Sequence, residues 1–140
     1  MSFYNLKKRI KKNEGYSNKP YKDQLKFYTI GYGHLIKKSE KIYFSKSFKK
    51  KHFDKVFNSD FERAAEEYKN IFFKENHTKF EKELLIEMIF QLGSKGVVKF
   101  RKMLFFLNKK QKYMAALEML DSLWYQQTPQ RVKNLIKNYL

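Results

Sequence analysis

The sequence predicts an α+β fold: a small mixed lobe with a β-sheet (1–57), a connecting helix (58–75) and an all-helical lobe (76–140). Three observations predict it. Apolar residues recur at helical spacing through most of the 140 residues. That period disappears between Tyr16 and Leu35, where Pro20 blocks a helix and Phe27-Tyr28-Thr29-Ile30 is rich in strand formers. The run from Leu84 to Leu92 is apolar nearly all round, as suits the buried centre of a helical lobe.

The elements follow in order. Phe3, Leu6 and Ile10 mark a first helix, with Lys7, Lys8, Lys11 and Lys12 largely on its other side. Gly15 is placed to end it. Glu14 then sits on the last turn, where the helix dipole disfavours a negative charge and tends to raise a carboxyl pKa. Tyr21-Lys22-Asp23 can pair with the strand formers across a short turn, and Gly31 and Gly33 suggest a bend or bulge. Lys41 to Phe44 is the candidate third strand. Phe53, Val56 and Phe57 suggest a short helix ending near Asn58. Asn58 or Ser59 would cap the next, whose stripe is Phe61, Ala64, Ala65, Tyr68 and Phe72. Thr78 and Glu81 match a capping box, and Gly93 closes the helix that follows. Val97, Phe100, Leu104 and Leu107 mark another helix; Tyr113, Ala116, Leu117 and Leu120 a further one. Thr128-Pro129, a capping hydroxyl before a first-turn proline, starts the last, which carries Val132, Leu135, Ile136 and Tyr139.

Composition narrows the function classes. Hydrophobic residues at 42% and aromatics at 18% exclude a disordered chain. The absence of cysteine excludes disulfides and zinc–thiolate sites. His34, His52 and His77 lack metal-ligand spacing, so neither metal nor cofactor is expected. The apolar clusters are too short to span a bilayer and the start lacks a signal-peptide pattern, which predicts a soluble protein made in the cytoplasm. The net charge of +17 favours an anionic partner: nucleic acid, membrane or cell wall. The lysines are spread along the chain, so charge does not choose among these.

The chemistry concentrates between positions 14 and 35. Glu14 and Asp23 lie nine positions apart, and Thr29 follows six later. One carboxyl that stays protonated and one that stays ionised suit glycoside hydrolysis, with a hydroxyl to help hold water. On spacing alone, two solvated surface charges are the better reading.

Longer motifs go further. Glu14-Gly15, Tyr21-Lys22-Asp23 and Tyr28-Thr29-Ile30-Gly31-Tyr32-Gly33-His34-Leu35 occur in order. Phe57-Asn58-Ser59-Asp60, Phe90-Gln91-Leu92-Gly93 and Trp124-Tyr125-Gln126-Gln127-Thr128-Pro129-Gln130-Arg131 follow downstream. Together they resemble the T-even phage lysozymes, glycoside hydrolase family 24, over nearly the whole chain. The resemblance implies a two-lobed lysozyme-like fold and an endolysin that cleaves the β-1,4 bond between N-acetylmuramic acid and N-acetylglucosamine by an inverting route. Glu14 would be the general acid, Asp23 the base or electrostatic partner, and Thr29 the residue positioning water. Arg131 would meet Glu14 from the other lobe, and His34 with Asp60 would form a structural ion pair. Gly33, Leu35 and Phe90 would line the saccharide cleft, with Gln91 at its edge. Met103 and Glu118 fall at further sugar-contact positions, where the family has smaller polar residues. The implied partner is bacterial peptidoglycan, met by a monomer released from a host cytoplasm through a separate holin-type pore during host lysis. The rivals are a catalytically idle basic binder of cell wall or nucleic acid on the same fold, and a lytic transglycosylase.

Overall fold

A computed structural model describes residues 3–140. The chain divides into two compact units, Met1–Arg63 and Ala64–Leu140. The class is α+β, with one small antiparallel sheet and helix elsewhere.

In the first unit, α1 (Tyr4–Glu14) buries Leu6 and Ile10 and exposes Lys8 and Lys12, while Lys7 and Lys11 are half-buried over the rings of Phe61 and of Tyr32 and Phe57. Gly15 ends it at φ +74°, a backbone angle that side-chain-bearing residues resist. Strands β1 (Ser17–Lys22), β2 (Tyr28–Gly31) and β3 (His34–Leu35) follow in the order β1-β2-β3. Tyr21 stands opposite Thr29 and Lys22 opposite Tyr28; Thr29 in turn faces Leu35, and Ile30 faces His34. Pro20 lies where the β1–β2 register is irregular, as a residue without an N–H should.

The third strand is therefore His34–Leu35, and Lys38–Phe44, expected to contain it, is a 3-10 helix. Its backbone groups are satisfied locally. Glu40 accepts the Lys37 N–H at 2.9 Å, and the Ser45 and Lys46 N–H groups both return to the Ile42 carbonyl. A second expectation also fails. Asn58 and Ser59 do not interrupt the chain, because α2 runs unbroken over Lys50–Ile71. Phe53, Phe57, Phe61, Ala64 and Tyr68 are all buried at spacings of three and four, so one apolar stripe outweighs two weak capping signals. The first unit's core is largely aromatic, with Tyr43 against Phe53 at 5.7 Å and Tyr32 against Phe57 at 5.8 Å between ring centroids.

In the second unit, α3 (Lys79–Leu92) begins with the expected capping box: Thr78 Oγ1 accepts from Glu81 N at 3.2 Å, and Glu81 Oε1 from Thr78 N at 2.8 Å. It buries Leu84, Leu85, Ile86, Met88 and Ile89, and with them Glu81 and Glu87. The single helix expected over Val97–Leu107 is two, α4 (Ser94–Val98) and α5 (Arg101–Asn108). Between them Phe100 leaves helical geometry and sets its ring edge-on to Trp124 at 5.8 Å. Helix α6 (Lys112–Leu120) turns Ala115, Ala116 and Met119 inward, leaving Tyr113, Leu117 and Leu120 exposed. Ser122 caps α7 (Leu123–Gln127) by accepting from Tyr125 N at 3.1 Å. Proline opens α8 (Pro129–Tyr139) as expected, but the Thr128 hydroxyl is not its cap. That hydroxyl donates to the Trp124 carbonyl at 3.1 Å and accepts from Gln91 Nε2 at 3.3 Å. No described helix is long and apolar enough to cross a membrane.

Candidate active site

The first unit brings together most of the residues singled out between positions 14 and 35. Glu14 is the last residue of α1, and its side chain folds against Gly33. A Cβ at position 33 would collide with Glu14 Oε1 and sit 2.7 Å from its Cδ. Gly33 also has φ +76°. Backbone geometry and the carboxyl group thus both demand glycine there.

Asp23 opens the β1–β2 turn. Its Oδ1 accepts the N–H groups of Leu25 and Phe27, both at 2.9 Å, and its own N–H donates to the Phe27 carbonyl at 2.9 Å. This is the local side-chain-to-backbone bonding at which aspartate excels in turns. It fixes the carboxylate while Oδ2 takes no part in the turn.

Tyr21 joins the two acids. Its hydroxyl pKa is raised, first by burial, then by the charge of Glu14 and then by that of Asp23. Two carboxylates nine positions apart therefore act on one phenol. Thr29, directly across from Tyr21, is 3% exposed and donates its hydroxyl proton to the Phe27 carbonyl at 3.0 Å. Its oxygen keeps lone pairs for a further donor. Leu35, opposite Thr29 on the other side, is exposed.

His34 anchors this sheet to the rest of its unit. Nδ1 bonds Asp60 Oδ2 at 2.8 Å and Nε2 bonds Glu40 Oε1 at 3.0 Å. Burial alone would lower the imidazole pKa; the hydrogen bond and charge of Asp60, then those of Glu40, outweigh it and raise the value. Glu40 is pulled the other way: burial would raise its pKa, but the Lys37 N–H and His34 bring it below the ordinary value.

In the second unit, Arg131 is 9% exposed and donates through Nε to Glu87 Oε2 at 3.1 Å, with Glu87 fully buried. Phe90 is half-buried on α3. Gln91 is occupied at both ends, accepting from Trp124 Nε1 at 2.9 Å and donating to Thr128. This ties α3 to α7 and to the start of α8. Met103, expected at a sugar-contact position, is 1% exposed; its side chain belongs to the helical core and meets no solvent. Glu118 is half-exposed on α6.

The remaining histidines bond within the protein: His52 to the Tyr43 hydroxyl at 2.8 Å, and His77 to Tyr68 at 2.6 Å and Asn108 at 2.8 Å. Among the described residues no cluster of three or more His, Asp or Glu could hold a metal ion.

The profile of the phage lysozyme family matches residues 11–138, which takes in every residue of the candidate site. The chain belongs to the phage lysozyme family. Two similar proteins are the probable T4-type lysozymes 2 and 1 of Dictyostelium discoideum, 30% and 29% identical over 94% of this chain and 91% of each relative. The family sets the class of activity as lysozyme-type.

Within that family assignment, sequence reading missed two contributors at the site. Tyr21 stood inside a quoted motif, and its place across from Thr29 follows once the hairpin register is drawn. Glu40 lay just before the Lys41–Phe44 segment expected to be strand and was assigned no role, so its reach back to His34 was hidden.

Proposed function

We propose that this chain hydrolyses the β-1,4 bond between N-acetylmuramic acid and N-acetylglucosamine in bacterial peptidoglycan. The observation that carries the reading is the Glu14 carboxyl seated against Gly33, beside β3 of the small sheet whose β1–β2 turn Asp23 opens, with the charges of both acids adding to burial in raising the Tyr21 hydroxyl pKa. Glu14 gives its proton to the glycosidic oxygen as the bond from the muramic anomeric carbon breaks. A water attacks that carbon and loses a proton to Asp23, whose Oδ1 is held by two amides. Thr29 supplies an acceptor oxygen for that water. Leu35 offers exposed apolar surface beside it for a sugar ring. The net charge of +17 favours approach to an anionic wall. For an enzyme made inside a bacterium, the setting would be host lysis after release through a separate pore.

The test is mass analysis of fragments released from purified peptidoglycan. Hydrated muramic acid at the new reducing ends is the expected product. Anhydro ends would assign a transglycosylase, and wall binding without release of fragments would assign a non-catalytic binder.

A further inference from the structure

Helices α3 and α8 pack against each other in the second unit, and polar side chains cross between them. Near the end of α3, Gln91 Nε2 donates to Thr128 Oγ1, just before α8 begins, at 3.3 Å. Further back on α3, Glu87 Oε2 accepts from Arg131 Nε at 3.1 Å. Going back along α3 thus matches going forward along α8, so the two helices run antiparallel. The same register carries the first turn of α3 to the last turn of α8. Glu81 lies about 9 Å before Glu87 along its axis, and Tyr139 about 12 Å after Arg131 along its own. Around those axes they are turned by about 120° and about 80° in the same rotational sense, which for antiparallel helices points both to the same side.

Both groups are buried, Glu81 at 1% and Tyr139 at 2% exposure. Glu81 Oε1 accepts from the Thr78 N–H at 2.8 Å and from Lys110 Nζ at 2.6 Å. Lys110 Nζ also donates to the Asn76 carbonyl at 2.8 Å. Glu81 Oε2 and the Tyr139 hydroxyl, by contrast, have no hydrogen-bond partner among the described residues. One is an acceptor and the other carries a proton to donate. Burial first, and then the charge of Glu81, push the Tyr139 hydroxyl up to about 12, so the phenol keeps that proton at neutral pH. Leaving two such groups unpaired in a core costs far more than a small shift of a helix end.

We infer that the last turn of α8 is a strap that closes on the first turn of α3, the Tyr139 hydroxyl donating to Glu81 Oε2. Glu81 then ties four segments together: its own cap at Thr78, the α2–α3 loop and the α5–α6 turn through Lys110, and α8. Helix α8 is held at both ends, by Gln91 and Glu87 near its start and by Glu81 near its finish.

Hydrogen exchange read amide by amide tests it, with Tyr139→Phe to remove the hydroxyl and keep the ring. The amides from Lys137 to Leu140 should exchange about tenfold faster in this variant than in the wild type, while those at the centre of α3 keep their rates. The thermal midpoint should fall by about 4 °C. In a Glu81→Met background the same substitution should change neither quantity, because the acceptor is gone. Unchanged exchange in the last turn of α8, or a midpoint that rises, would overturn the inference: the hydroxyl would then be an unpaired group whose removal relieves the core. Equal losses in both backgrounds would overturn it as well, since the hydroxyl would be bonding elsewhere. If Glu81→Met does not fold, the exchange rates and midpoint of Tyr139→Phe alone decide.

Discussion

In the unit Met1–Arg63, Glu14 and Asp23 stay part-exposed around the Tyr21 phenol, whereas in Ala64–Leu140 Glu81 and Glu87 are buried to 1% and 0% exposure. The buried acids each have a cation: Lys110 Nζ lies 2.6 Å from Glu81, and Arg131 Nε lies 3.1 Å from Glu87. Stripping water from a carboxylate costs several kcal/mol unless a cation and hydrogen bonds replace it. Glu81 has Lys110 and the Thr78 N–H, which together hold its pKa low against the effect of burial. Such groups fix helices in place. An acid that must reach a saccharide has to keep a route to solvent, and Glu14 and Asp23 do. Deep burial of a carboxylate thus marks scaffold here, whereas the reaction proposed above falls to two acids that stay part-exposed.

The sharpest way to break that comparison is to strand a buried acid. Arg131→Met leaves Glu87 without its guanidinium and should cost about 3–5 kcal/mol of stability in urea unfolding. The double variant Glu87→Leu/Arg131→Met should recover most of that loss. A cost below about 1 kcal/mol for the single variant would remove Glu87 and Arg131 from the scaffold.

Next is Asp23→Asn. Asparagine Oδ1 can still accept the Leu25 and Phe27 N–H groups, so the turn survives and stability should change by no more than about 0.5 kcal/mol. Turnover of peptidoglycan should fall by about 10²–10³, because the charge is gone. Full activity in this variant would take Asp23 out of the reaction.

Gly33→Ala should lower the rate by about 10² by displacing the Glu14 carboxyl. An unchanged rate would sever the link between Gly33 and Glu14.

The smallest effect concerns His34. Its folded pKa is raised above 6.5, so its pairing stabilises fully below that value and fades as pH climbs through the raised one. Glu40 has a lowered pKa, so its contribution is present above 4.5 and is lost as pH falls through the lowered value. The thermal midpoint of wild type should therefore exceed that of His34→Gln most between pH 4.5 and 6.5, and the gap should narrow in alkali. A gap that is constant with pH would show that His34 acts by shape and not by charge.

What could be read from the sequence was local. Gly15, the Thr78–Glu81 box and Pro129 act on neighbouring backbone, so residue type and spacing revealed them. The strand formers at Phe27–Ile30 and the motif around Gly33 likewise located the sheet and the acids. The failures were long-range or two-sided. Glu81 and Glu87 become buried only because Lys110 and Arg131 arrive from 29 and 44 positions away. Met103 belongs to a stripe whose inward direction depends on how α5 packs. On α6 the expected stripe was Tyr113, Ala116, Leu117 and Leu120, of which Ala116 alone is buried. The helix buries its small side, Ala115 and Ala116, together with Met119.

The most direct measurement is the rate at which reducing ends are released from purified peptidoglycan by wild type and by Glu14→Gln, with thermal midpoint and wall binding checked in parallel. The account predicts a fall of about 10²–10⁴ in rate with fold and binding unchanged. Equal release by the two proteins would contradict it.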